Sequence, residues 1–292
     1  MGDVEVELPR EIGSRAGEPV RGSGLHAHIP VLLYHGVPAA GPGADRYTVT
    51  RRIFAEHLHA ILDSGRTPVT VGDIAAGLQN RRSLPQRPVA ITFDDGYYDT
   101  EEALEALCAW GLCASVYVTT GRLDMPGMMR RSQLERLATL GDPVELGAHS
   151  VSHPRLDELD ARAIEREVTE SKAQLEQIVG RRVETFAYPH GAYDRRVRAA
   201  VITAGYQSAA AVKNALSHAG DDPWAVARWT VCSDTTAATV AEVLDGRGVP
   251  SAWRHERLRT RGYRAARRLR RAIAGAGGTG WAGRGRAGDI AS

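Results

Sequence analysis

Val89-Ala90-Ile91-Thr92-Phe93-Asp94-Asp95-Gly96-Tyr97-Tyr98 decides how the rest of the chain is read. Pro88 introduces Val89 to Phe93, a short run rich in β-branched and aromatic residues, which is how a buried parallel strand looks. Asp94 and Asp95 follow at its carboxyl end, and Gly96 lets the chain turn away with no Cβ in the way. Two adjacent carboxylates repel each other and lose hydration at such a place. A positive partner is expected there, a metal ion foremost. The competing reading is a plain turn, since Asp and Gly are common turn residues.

Outward from this strand the chain alternates. Ile29 to Tyr34 reads as a strand, ended by His35-Gly36. Thr50 is placed to cap a helix in which Ile53, Phe54, His57, Leu58, Ile61 and Leu62 recur at helical spacing, and Gly65 ends it. A short strand over 68–71, a short helix over 73–78 and a basic loop lead to Pro88. Downstream, helices are expected over 100–110, 132–140, 160–179, 195–204 and 236–244. Strands are expected over 114–118, 144–147, 184–188, 206–212 and 225–231, and residues 125–129 read as a loop with exposed methionines. Strands alternating with helices through short connections give an α/β fold with a parallel sheet. Seven or eight such units point to a closed or nearly closed barrel, with an open doubly wound sheet as the rival. No GxGxxG follows the first strand, so nothing favours a dinucleotide. The expected organisation is a flexible leader over 1–28, one α/β domain over 29–250 and a basic tail over 251–292.

The overall charge of +2 conceals a split. Residues 252–292 hold eleven arginines against Glu256 and Asp289, a net +9, which leaves −7 for residues 1–251. An acidic body without a recognition motif argues against nucleic acid. The arginine-rich tail suggests peripheral contact with an anionic membrane face, with a merely solvated tail as the plainer reading. Cys108, Cys113 and Cys232 form no CxxC pair and no disulfide framework. The first residues lack a positive segment followed by an apolar core, and no run reaches the length of a membrane span. A cytoplasmic protein, at most at the inner face of a membrane, is the expectation.

Three strand ends carry suspicious residues: Asp94 and Asp95 on one, His149 and His153 after a second, and Pro189-His190-Gly191 after a third. In a parallel barrel these ends share one face. If the chain turns helically after Gly147, both imidazoles point the same way, and two imidazoles with one carboxylate leave coordination positions open, as a catalytic site requires. His35 ends the first strand on that same face, where the alternative is a hydrogen-bonded structural histidine.

At these residues the chain resembles the polysaccharide deacetylases, the NodB-homology carbohydrate esterases of family 4. The resemblance rests on Thr92-Phe93-Asp94-Asp95-Gly96, His149-Ser150-x-x-His153 and Ala187-Tyr188-Pro189-His190-Gly191, flanked by Leu33-Tyr34-His35, Gly147-Ala148 and Pro154. It covers about residues 29–250. It implies a distorted (β/α) barrel, often of seven strands. Asp95, His149 and His153 would bind a divalent metal, usually zinc, and Asp94 would be the general base. The backbone N–H of His190 would face the oxyanion, with His35, Tyr188, Pro189, Gly191 and Arg228 around the substrate. The substrate implied is an N-acetylated amino sugar, as polymer, oligomer or lipid-linked sugar, losing its acetyl group. Two departures stand out. The arginine that many members carry two residues before the third motif's proline is Ala187 here, and Arg228 is the candidate replacement. The late Leu-x-His motif that supplies a general acid has the form Leu216-Ser217-His218, with His35 as competitor. Hydrolysis of a non-sugar amide or imide, and a catalytically silent glycan-binding protein, are the other readings.

Overall fold

The computed structural model describes residues 28–38 and 46–252. The leader, most of the loop after Pro38 and the arginine-rich tail lie outside these residues. Strands β1 (Val31–Tyr34), β2 (Thr67–Pro68), β3 (Pro88–Phe93), β4 (Ala114–Val118), β5 (Val144–Ala148), β6 (Thr185–Ala187), β7 (Ser208–Val212) and β8 (Val226–Thr230) are all parallel to their neighbours. Their order runs β1-β8-β7-β6-β5-β4-β3-β2, and β1 also pairs with β3. That extra pairing closes the sheet. β1 docks on β3 with Val31 against Ala90 and Tyr34 against Phe93, and on β8 with Leu32 against Trp229. Seven strands thus form a closed barrel, and β2 only extends the start of β3. The open-sheet rival is excluded by the β1–β8 and β1–β3 pairs.

Helices α1 (Arg51–Asp63), α2 (Val71–Leu78), α3 (Thr100–Ala109), α4 (Arg131–Thr139), α5 (Ala161–Val179), α6 (Arg195–Thr203) and α7 (Ala237–Leu244) fall within a residue or two of the expected spans. Their starts follow from side-chain oxygens that accept otherwise orphaned N–H groups: Thr50 for α1, Thr70 for α2, Asp160 for α5, Asp194 for α6 and Thr236 for α7. One expectation fails in the loop at 125–129. Met125 is exposed, but Met129 is fully buried, because its N–H is tied to the Gly96 carbonyl at 2.8 Å.

Side chains alternate across each strand with period two. Leu32, Tyr34, Ile91, Phe93, Val116 and Phe186 face the surrounding helices in one large cluster. Val31, Ala90, Tyr117, Ala187, Ala210 and Val226 face inward and pack with Val71, Ile74 and Ala75 of α2. α2 therefore plugs the N-terminal end of the barrel. Its first N–H groups reach into the wall there, Val71 donating to Ser115 Oγ at 2.9 Å and Gly72 to Glu145 Oε1 at 3.0 Å. The opposite end, where the strands finish, is left for chemistry. Among the described residues no helix is long and apolar enough to cross a membrane.

Candidate active site

Asp94 continues the inward face of β3 after Ala90 and Thr92. The residue is 2 % exposed, and its carboxylate is clamped by Arg228 of β8, Nη1 to Oδ1 at 2.6 Å and Nη2 to Oδ2 at 2.7 Å. Arg228 is itself fully buried. Burial works against the charge on Asp94, yet Arg228, and behind it His149 and His35, overcome it and hold the carboxyl down at about 2. The clamp thus comes from β8, while the position two before Pro189 is Ala187, with no side chain to offer. Ala187 contributes its carbonyl instead, which accepts from His149 Nδ1 at 2.8 Å.

Asp95 follows with φ 72°, a left-handed conformation unusual for a residue with a Cβ. Its Oδ1 lies 3.1 Å from His153 Nε2 and 3.6 Å from His149 Nε2. His149 and His153 are brought together differently from the helical turn expected. Residues 149–155 form a tight loop in which Ser150 and His153 take φ of 64° and 62°, and the two rings sit 4.9 Å apart. The loop is tied in three ways. Ser150 Oγ accepts from His153 N at 3.0 Å. Glu167 of α5 accepts from Val151 N, Ser152 N and Ser152 Oγ at 2.8, 2.9 and 2.6 Å. The turn after β4 docks beside it, Thr120 N on Ser150 O and Gly121 N on Val151 O. A Cβ on Gly121 would lie 2.6 Å from that carbonyl, so only glycine permits the approach.

This donor set fits a divalent cation. With Nδ1–H given to Ala187 O, the neutral His149 ring turns a bare Nε2 lone pair toward Asp95. Asp95 Oδ1 is buried and accepts no hydrogen bond from the described residues. Lone pairs of this kind facing one another are stabilised by a cation. Burial pushes both His149 and His153 down to about 4, so both are neutral at pH 7, the state in which an imidazole can coordinate a cation. Asp95, His149 and His153 offer atoms within 4.8 Å of one another, the one such group of three found among the described residues.

His190 and His35 flank the cluster. His190, at φ 57°, stacks edge-on against His153 at 4.4 Å, and burial followed by the charge of Arg155 lowers its pKa. Its backbone N–H has no acceptor among the described residues. The His35 ring lies tilted against Tyr47 at 5.1 Å, and its buried Nδ1 has no partner among the described residues. Two predicted residues are not brought here. The Tyr188 ring faces the outer core, stacked on Tyr193 at 4.5 Å, its hydroxyl donating to Trp224 O at 2.9 Å. His218 sits beside Ser217, which pairs with Ile29 ahead of β1. Tyr34, at the level of the site, is five residues further along, roughly 16 Å at the usual strand rise. Both His218 nitrogens are also engaged, Nδ1 accepting from Gly220 N at 3.0 Å and Nε2 lying 2.8 Å from Ala252 O. Pro189 is buried in the turn that His190 shares with Gly191. Glu167, Thr120 and Gly121 carried no sequence signal of a role at the site. A Glu on an exposed helix face looks like any other until the loop it holds is seen.

Comparison with known proteins gives one consistent result. Residues 81–209 match the family model described as polysaccharide deacetylase. A Bacillus subtilis (strain 168) protein named "Putative polysaccharide deacetylase YxkH" is 24 % identical over 182 residues, 62 % of this chain. The match spans 63 % of that relative's own length. Among solved structures, Streptococcus pyogenes deacetylase PplD in complex with acetate superposes with a TM-score of 0.68 at 20 % identity, covering 75 % of this chain and 99 % of that one. IcaB from Ammonifex degensii gives 0.64 at 23 %, covering 74 % and 97 %. At these identities the structural likeness speaks for the fold.

Proposed function

Because this chain belongs to the polysaccharide deacetylase family, we propose that it hydrolyses the acetamide of an N-acetylated amino sugar with the help of a divalent metal, zinc foremost. The observation that carries the reading is the pairing of an Arg228-clamped carboxylate, Asp94, with the Asp95, His149 and His153 donor set on one rim. Asp95, His149 and His153 would hold the ion. When bound, it supplies Lewis-acid polarisation of the amide carbonyl and lowers the pKa of the attacking water. Asp94, kept ionised by Arg228, takes the proton from that water. The clamp also fixes the carboxylate's angle, so little reorganisation is needed on reaction. The His190 N–H serves as donor to the developing oxyanion. His35, beside Asp94 and with an Nδ1 unpartnered among the described residues, is the general acid that protonates the departing amine. Acetate leaves and the sugar keeps a free amine.

The test is acetate release from N-acetylated substrates running from monosaccharide to polymer, with an imide included, with zinc added or chelated. Zinc-dependent acetate is expected, and Asp94→Asn should lower kcat by about 10³-fold while zinc stays bound. Full activity in that variant would overturn the assignment of the base. Turnover of the imide alone would move the substrate to a non-sugar amide.

A further inference from the structure

Inside the barrel, next to Asp94, residues from six strands meet, five of them through side chains. Arg228 Nη1, besides clamping Asp94, donates to Thr92 Oγ1 at 3.2 Å. Its Cζ lies 5.3 Å over the ring of Tyr117, from β4. The Tyr117 hydroxyl is 3.1 Å from Thr185 Oγ1, and Ser208 Oγ donates to that same oxygen at 3.0 Å. The sixth member is Gly147 of β5, directly paired with Tyr117. A Cβ there would lie 2.6 Å from both Tyr117 Cδ1 and Thr185 Cγ2. The glycine ahead of the Ala148-His149 step is therefore the space that admits the ring.

The guanidinium needs such a support. Arg228 is fully buried, and its Nε has no hydrogen-bond partner among the described residues. The bonds from its two Nη groups fix it along the plane toward Asp94. They leave open a tilt about the line joining the two groups. An aromatic face against a desolvated guanidinium opposes that tilt through the ring quadrupole. Thr185 and Ser208 in turn hold the ring by its hydroxyl.

We infer that Tyr117 is the positioning residue of the site: its ring face sets the plane of Arg228, which sets the angle of Asp94, and Gly147 exists to make room for it. This deepens the deacetylase reading and rests on it. A ring that only filled the barrel would affect stability without separating kcat from KM.

The experiment uses the zinc-loaded full chain. Tyr117→Phe keeps the ring and loses the hydroxyl bond, whereas Tyr117→Leu loses both, with Tyr117→Met as a second non-aromatic variant should the leucine chain not fold. Expected are a kcat within about threefold of wild type for the phenylalanine variant and a fall of about tenfold or more for the non-aromatic ones, with KM within about twofold and zinc content unchanged. Nitrogen NMR of the Arg228 guanidinium supplies a readout independent of turnover. Its Nη signals should be resolved in wild type and Tyr117→Phe, and averaged by rotation once the ring is gone. Unchanged kcat and unchanged Nη signals in the non-aromatic variants would overturn the inference. So would a phenylalanine variant as slow as the leucine one. If wild type releases no acetate from any substrate, the functional reading falls, and the guanidinium spectra still decide this one.

Discussion

Arg228 illustrates how much one side chain can carry. It is the largest fully buried side chain among the described residues, and it offers Asp94 two parallel, charge-assisted hydrogen bonds. Lysine would keep the charge but not the fork. Arg228→Lys is expected to lower kcat by about tenfold or more with zinc still bound. Arg228→Ala leaves Asp94 buried and unpaired, and should destabilise the fold by about 3–5 kcal/mol. Urea unfolding of the zinc-free proteins measures the second effect, and equal stability of Arg228→Ala and wild type would contradict it. At this scale the sequence was legible where chemistry is compressed into neighbours. Asp94-Asp95 and His149 with His153 announce themselves. Arg228 stands far from them in the chain, and only the vacancy at Ala187 pointed toward it. His218 shows the opposite failure. Its Leu-Ser-His form fits a short pattern, yet Asp221 binds its loop to the far end of the barrel through Lys213 Nζ, Ser217 Oγ and Ala227 N at 2.6, 3.0 and 2.9 Å.

Among the elements, α5 does more than cover the barrel. Through Glu167 it presents one carboxylate to three donors of the loop that carries His149 and His153. That loop holds two residues in the left-handed region, conformations that cost of order 1–3 kcal/mol each and persist only when their surroundings impose them. Glu167→Ala should release the loop and weaken zinc binding by about 10–100-fold, read by competition with a chelator. An unchanged affinity would show that Ser150 and the docked turn suffice. The strands and helices were legible because apolar period and capping residues agree along the chain, as at Thr50, Asp160 and Thr236. The loop's path was not. A spacing of four suggested a helical turn, whereas the contacts that hold 149–153 come from α5 and from the turn after β4, distant in sequence.

For the whole molecule, the neutral histidines set a dependence of stability on pH. In the unfolded chain both protonate near 6.5, but in the fold His149 and His153 do so only near 4. Between these values the unfolded state binds more protons, so stability falls as pH drops from 6.5 to 4, by up to about 3 kcal/mol per histidine. Asp94 adds a further loss as pH falls from 3.8 toward 2. The melting temperature of the zinc-free protein should therefore decline steadily from pH 6.5 to 4, and added zinc should steepen the decline, because protons compete for the same nitrogens. A flat profile from pH 7 to 4.5 would contradict the assignment. Strand–helix alternation made the parallel sheet legible, and the number of units pointed to a closed or nearly closed barrel; the register of the closing strands was not legible, because no local pattern says that Leu32 will pair with Trp229. That pairing also bears on biosynthesis. The first strand emerges from the ribosome long before the last, and parallel partners so far apart pair slowly. Until residues near 230 have been made, Asp94 has no Arg228 to balance it, and the barrel keeps one open seam. Until β8 has been made, the nascent chain thus carries an exposed apolar edge and an incomplete catalytic centre, an interval in which that edge is open to wrong partners.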